Sequence, residues 1–467
     1  IGAARANGDL TGGRCRNRVV PWRRSYDRRF VATPAIPPPD LDAARRLLAF
    51  CDASPTPYHA CSTAAAVLTE AGFTRLAEDA AWPAEPGGWF VVRGGTLIAW
   101  RISAQHQPRD GFRILGAHTD SPNLRLKPQP DVVHAGSRQL GVEVYGGVLL
   151  NSWLGRDLGV SGRVAVRRDG GGAVVRLVRV DRPLCAIPQL AIHLDREVTT
   201  KGLVIDPQTH LRPIWHLGEG DDDDFRSFVA KELGVVPDDV LGWDLMLHDL
   251  APGAVLGRDD DMIASARLDN LASCWAALEA LSEVSPGVEA GPIPVVCLFD
   301  HEEVGSTSDR GAGSQVLPTT LERTVLARGG GREDLHRALA RSACLSTDMA
   351  HAVHPNYPDR HDPQHQVALN GGPVLKLNAN VRYATDAPGS ALVALAAEQA
   401  NVPLQSFAMR SDLPCGSTIG PVTASRLGIT TVDVGMPQLA MHASREYAGS
   451  HDPGHYRALL AAFLAPA

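Results

Sequence analysis

Hydrophobic positions recur at two different spacings along this 467-residue chain, and the change of spacing divides it. Leu41, Ala44, Leu47 and Leu48 fall three and four apart, the period of one helix face, behind Asp40 as a helix cap. A second helix is expected over about residues 62–70, stopped by Gly72. Residues 97–102 and 113–117 read as strands. Between about residues 128 and 257 short alternating runs take over, such as Val142-Glu143-Val144-Tyr145 and Val174-Val175-Arg176-Leu177-Val178, separated by glycine-rich turns. That texture predicts an antiparallel β unit. Within it, Asp221-Asp222-Asp223-Asp224 reads as a solvated acidic loop. After residue 258 helices and strands alternate again: a helix after Leu271, a strand at 294–299, a helix near 391–399, a strand at 429–434 and a last helix after His455. The expected fold class is α/β, a helix-layered mixed sheet over residues 39–127 and 258–467, interrupted by a β-rich domain over 128–257.

Composition narrows the picture. At roughly 150 residues per domain the length predicts about three domains, or two with one large. No apolar run reaches the ~20 residues needed to span a bilayer, so no membrane partner is expected. The net charge of −7 is unevenly spread. Residues 1–32 hold eight arginines against Asp9 and Asp27, whereas the remainder carries 37 basic and 50 acidic residues. A body that acidic repels phosphate backbones, so no nucleic-acid partner is expected. The basic segment lacks a core pattern and is expected to be a disordered extension over residues 1–38; a transit-like or read-through segment would read the same way. The eight cysteines form no CxxC pair, and several sit in apolar runs, so they read as small buried hydrophobes in a reduced compartment. No GxxxxGK[ST] loop occurs to cradle phosphates.

In open α/β sheets, ligands gather beyond the carboxyl ends of strands. Four apolar runs end in the residues such a site needs. Ile114-Leu115-Gly116-Ala117 leads into His118-Thr119-Asp120, Val295-Val296-Cys297-Leu298-Phe299 into Asp300-His301-Glu302-Glu303, Ala343-Cys344-Leu345-Ser346-Thr347 into Asp348, and the strand near Val434 through Gly435-Met436-Pro437 to His442. A fifth acid, Asp269, stands just before a helix. Singly, each is more often a cap or a turn residue. Together they supply two imidazoles and three or four carboxylates, the inventory of a two-metal hydrolytic site. Oxygen and imidazole donors suit zinc, manganese or cobalt, and the absence of thiolates argues against a structural zinc cage. Asp120, two residues beyond His118, can take the other imidazole N–H and fix the tautomer. Adjacent acids point apart, so one of Glu302 and Glu303 can bind metal while the other faces the reacting water. Lys376, one of four lysines, lies in the strand-like Gly372-Pro373-Val374-Leu375-Lys376-Leu377-Asn378, an unusual setting for a cation that only faces solvent.

The motifs His118-Thr119-Asp120-Ser121-Pro122, Arg267-Leu268-Asp269-Asn270, Asp300-His301-Glu302-Glu303-Val304-Gly305-Ser306, Ser346-Thr347-Asp348-Met349-Ala350-His351, Gly416-Ser417-Thr418-Ile419-Gly420-Pro421 and Met441-His442 resemble the aspartyl aminopeptidase family, cytosolic dinuclear metallo-aminopeptidases. The resemblance covers about residues 40–467. It implies an enzyme that removes N-terminal residues, preferentially Asp and Glu, from peptides, using two divalent metal ions per subunit, zinc foremost. It implies that His118 and Asp348 hold one ion, Glu303 and His442 the other, with Asp269 bridging them and the cis peptide bond common in that family group at Asp269-Asn270. Glu302 would serve as general base and then acid. Lys376, Tyr383 and the loop Gly416, Ser417 and Thr418 would line the substrate site, and His193, in the insertion, would reach a neighbouring subunit's site. The insertion would be a dimerisation domain, with dimers building a cytoplasmic homo-oligomer, a dodecamer. Two other readings stand beside this one. A co-catalytic metallo-carboxypeptidase or N-deacylase would use much the same ligands and would prefer blocked substrates. A non-enzymatic assembly protein would be expected to have lost a ligand or Glu302, and this sequence keeps them all.

Overall fold

Four strands, Ile293–Phe299, Phe112–His118, Ala343–Thr347 and Thr430–Gly435, are buried at nearly every position, the polar Ser346, Thr431 and Asp433 included. Strands of that kind need cover on both faces, the condition of a parallel sheet between helix layers. They lie side by side in that order, all parallel, at the centre of a nine-stranded sheet. Thr96–Ile102 continues it antiparallel on one side, and Val374–Leu377 does so on the other. The computed structural model describes residues 41–218, 224–284 and 291–466. The basic segment 1–38, the cap at Asp40 and Asp221 to Asp223 of the acidic run lie outside the described residues. Asp224, the last of that run, caps the helix Phe225–Leu233 by accepting from the Ser227 amide.

Alternation along each central strand separates two cores. Leu115, Ala117, Val296 and Leu298 pack against the helices Leu41–Ala53, Pro57–Glu70, Leu268–Glu283 and Asp452–Leu464. Phe112, Ile114, Val295 and Cys297 face Val316–Ala327, Arg332–Leu339 and Ile419–Leu427 on the other side. The expected helix-layered mixed sheet is present. The second helix begins at Pro57, ahead of the expected residue 62, because Pro57 sits in the first helical turn, where its missing N–H costs nothing. Thr56 caps it by accepting from the His59 amide.

The alternating middle segment forms a six-stranded sheet, antiparallel throughout, from Asn123–His134 to Val240–Asp249. Its core packs on Phe225, Val229 and Ala230 of the helix Phe225–Leu233. A five-stranded sheet that includes Pro437–Leu439 and Glu446–Gly449 carries the loop with His442. At Gly435 the chain passes so close to Asp348 that a Cβ would lie 1.9 Å from the Asp348 carbonyl oxygen, so only glycine fits where these two strand ends converge. Among the described residues no helix is long and apolar enough to cross a membrane.

Candidate metal centre

The carboxyl ends of the central strands open onto one cavity of about 650 Å³. His118 is the last residue of its strand, Glu302 and Glu303 lie in the turn after Ile293–Phe299, and Asp348 follows Ala343–Thr347. Asp269 lies in the first turn of the helix Leu268–Glu283 and is joined to Asn270 by a cis peptide bond, as the motif resemblance implied. With His442 from the hairpin, all six side chains line the cavity, together with Lys376, Tyr383, Gly416, Ser417 and Thr418. Asp120 stands behind the wall, and His193 is exposed and does not line the cavity of its own chain.

The donor atoms stand at a telling separation. His118 Nε2 lies 3.4 Å from Asp269 Oδ1 and 3.5 Å from Asp348 Oδ1. His442 Nε2 lies 3.5 Å from Asp269 Oδ2 and 3.4 Å from Glu303 Oε1. These distances exceed the usual 2.7–3.2 Å of an N–H···O bond. They match the edge of a tetrahedron around zinc, about 3.3–3.4 Å for bonds of ~2.0–2.1 Å. Asp269 offers one oxygen to each imidazole, so it stands between two ligand sets. Asp269 Oδ1 and Glu303 Oε1 are buried without a hydrogen-bond partner, a costly arrangement unless something else meets them.

The electrostatics point the same way. Burial, reinforced by the carboxylates of Asp348, Asp120 and Asp269, pushes the Glu302 carboxyl up to about 7. Burial raises Glu303 well above its ordinary value and takes Glu446 up to about 8. Burial alone would lower the imidazoles, yet Asp120, Asp269 and Asp348 hold His118 well above its usual range, and Asp269 with Glu303 takes His442 up to about 10. The imidazoles hold Asp269 and Asp120 low, while Glu302, Glu303 and Glu446 rise with the imidazoles, so the buried pocket as a whole is short of positive charge. Divalent cations held there would supply it.

The groups that hold these ligands were largely invisible in the sequence. The His118 Nδ1 partner is the backbone carbonyl of Asp120 at 2.9 Å; the Asp120 carboxylate is 3.5 Å away. That carboxylate accepts instead from the amides of Glu302 and Glu303, each at 3.1 Å, and from the Tyr145 hydroxyl at 2.6 Å. Glu446 accepts from the Asp269 amide at 2.9 Å and the His442 amide at 2.7 Å, joining the two ligands by one side chain. Asp433 accepts from Thr418 and Ser346 hydroxyls and from the Ala384 amide, tying the Gly416–Thr418 loop to the loop of Tyr383. Lys376 is 2% exposed; its ammonium donates to the Met349 carbonyl at 3.0 Å, lies 3.5 Å from Asp348 Oδ2 and sits over the Tyr383 ring.

Comparison with known proteins identifies the scaffold. The Peptidase_M18 profile, described as aminopeptidase I zinc metalloprotease, matches residues 50–464. A probable M18 family aminopeptidase 2 of Streptomyces coelicolor is 53% identical over 425 residues, 90% of this chain and 97% of that protein. A chain of the Ape4 and Nbr1 complex superposes with a TM-score of 0.87 at 37% identity, covering 91% of this chain and 85% of that one. The S. cerevisiae mApe1 dodecamer gives 0.79 at 30% identity, over 91% and 96% of the two chains. The match spans both the central sheet and the inserted one, and the chain therefore belongs to the M18 family of zinc metallo-aminopeptidases.

Proposed function

We propose that this aminopeptidase works with two divalent ions per subunit and favours peptides that begin with Asp or Glu. The observation that carries the two-ion reading is Asp269, whose two oxygens face His118 and His442 separately. His118 and Asp348 would hold one ion, Glu303 and His442 the other, with Asp269 shared. Bound there, the ions would supply Lewis acidity toward the scissile carbonyl and acidify the attacking water. Glu302 lines the same cavity and binds none of the four ligand contacts, which leaves it free to take the water's proton and return it to the leaving amine. Asp120 holds the Glu302 amide and so aims that carboxylate.

Lys376 and Tyr383 form the cavity wall that would meet the first side chain. A charge-assisted bond from a buried ammonium contributes about 1.5–3 kcal/mol, roughly a ten- to hundredfold preference for an acidic residue over a neutral one. The test uses Asp-, Glu- and Leu-anilides. Chelation should abolish turnover and zinc, manganese or cobalt should restore it, while Lys376→Met should cost ten- to hundredfold in kcat/KM on Asp and Glu and spare Leu. Full turnover without metal overturns the ion reading; an equal loss on all three substrates overturns the specificity reading.

The antiparallel sheet over residues 128–257 is proposed as the dimerisation domain, and the assembly as a dodecamer like the mApe1 relative. Support comes from the exposed Leu190, Ile192 and Leu194 around His193, a surface that prefers cover. His193 would then act in a neighbour's cavity. Reassembling inactive His193→Ala with inactive Glu302→Gln subunits should restore partial activity; no recovery confines each site to its own chain. The seven cysteines among the described residues are all free, which supports a reduced, cytoplasmic setting.

A further inference from the structure

The inserted sheet does more than present a surface, because its strand Ser137–Tyr145 ends against the metal centre. Tyr145 is buried, and its hydroxyl donates to Asp120 Oδ2 at 2.6 Å. The same oxygen accepts from the Glu303 amide, so Tyr145 and Glu303 share one acceptor. The Arg125 guanidinium, from the neighbouring strand Asn123–His134, lies over the Tyr145 ring at 3.6 Å and fixes its plane. The chain then turns through two glycines. A Cβ on Gly146 would lie 3.0 Å from Glu303 Cβ, and one on Gly147 would lie 3.2 Å from His442 Nδ1. The Gly147 carbonyl takes that same Nδ1 at 3.0 Å, leaving Nε2 as the ligand nitrogen, and the Leu149 amide donates to the His442 carbonyl at 3.1 Å. Apart from the Arg125 contact, these fall on Glu303, on His442 or on the Asp120 carboxylate, whose Oδ2 serves Tyr145 and Glu303 while its Oδ1 takes the Glu302 amide. The His118 ring is held from within its own strand end, by the Asp120 carbonyl.

We infer that Tyr145, with the Gly146-Gly147 turn behind it, is a positioning element that sets the affinity of one metal position, that of Glu303 and His442, from the inserted sheet. This rests on the two-ion reading above. Groups that orient metal ligands typically change metal affinity by about 10–100-fold when removed. Tyr145→Phe deletes only the hydroxyl. Zinc is titrated into chelator-stripped protein against a chromophoric competitor, and melting of the stripped protein is measured alongside. The native protein is expected to take up two equivalents. Tyr145→Phe should keep one native-like equivalent and bind the other 10–100-fold more weakly, with excess zinc refilling it. Gly146→Ala, which presses on Glu303, should weaken the same equivalent. Two native-like equivalents in Tyr145→Phe, or an equal weakening of both with a lowered melting temperature, overturn the inference and leave the two-ion reading standing. Fewer than two equivalents in the native protein overturn the two-ion reading and this inference with it.

Discussion

Glu302→Gln is expected to lower kcat by about 10²–10⁴-fold while zinc content and KM stay close to native. The substitution keeps the shape of the side chain and removes only its ability to accept a proton. Glu302 makes none of the close imidazole contacts of Glu303, so the ion sites should survive. Its carboxyl, pushed up to about 7 by burial and neighbouring acids, must be ionised to act as a base. Bound cations beside it would pull that value down, so the native kcat should fall on the acid side below pH 7, as the base is protonated, and the variant should lose that limb. Glu303→Gln separates the two neighbours: it should lower metal occupancy first. If zinc content falls in Glu302→Gln and stays native in Glu303→Gln, the roles are exchanged.

Asp269→Ala is expected to be the most damaging single change, at least about 10³-fold in turnover, beyond the 10–100-fold of removing a group that only supports a ligand. Three facts converge on it. Its two oxygens face different imidazoles, its Oδ1 has no hydrogen-bond partner, and its own amide is held by Glu446. Without it, two dications would face each other with no anion between. Elemental analysis should show loss of zinc from both positions. Retention of both ions with substantial turnover would remove Asp269 from the bridge.

The six side chains that gather in the cavity were legible because each follows an apolar strand or opens a helix, and strand ends in such a sheet are where ligands collect. The central strands were legible in their apolar stretches at 114–117 and 295–299, and less so at Thr430–Gly435, where Thr431 and Asp433 interrupt the run. What holds the site was not. Tyr145 meets Asp120 from another sheet, and Glu446 meets Asp269 across 177 residues, so neither leaves a periodic or local trace. Asp120 was expected to serve His118 through its carboxylate, whereas its backbone carbonyl stands closer and its carboxylate binds the turn of Glu302 and Glu303. The helix Val316–Ala327 also escaped notice, since Pro318 and the adjacent threonines resemble a turn more than a helix start.

The five proposed ligands, residues 118, 269, 303, 348 and 442, stand at strand ends, at a helix start and in a hairpin loop that come together only once the fold is assembled. On the two-ion reading, a chain still on the ribosome would have no complete pair for the second ion until residue 442 has emerged and its hairpin has closed on Gly147. Completion of the site would then coincide, on that reading, with completion of the sheet that carries it.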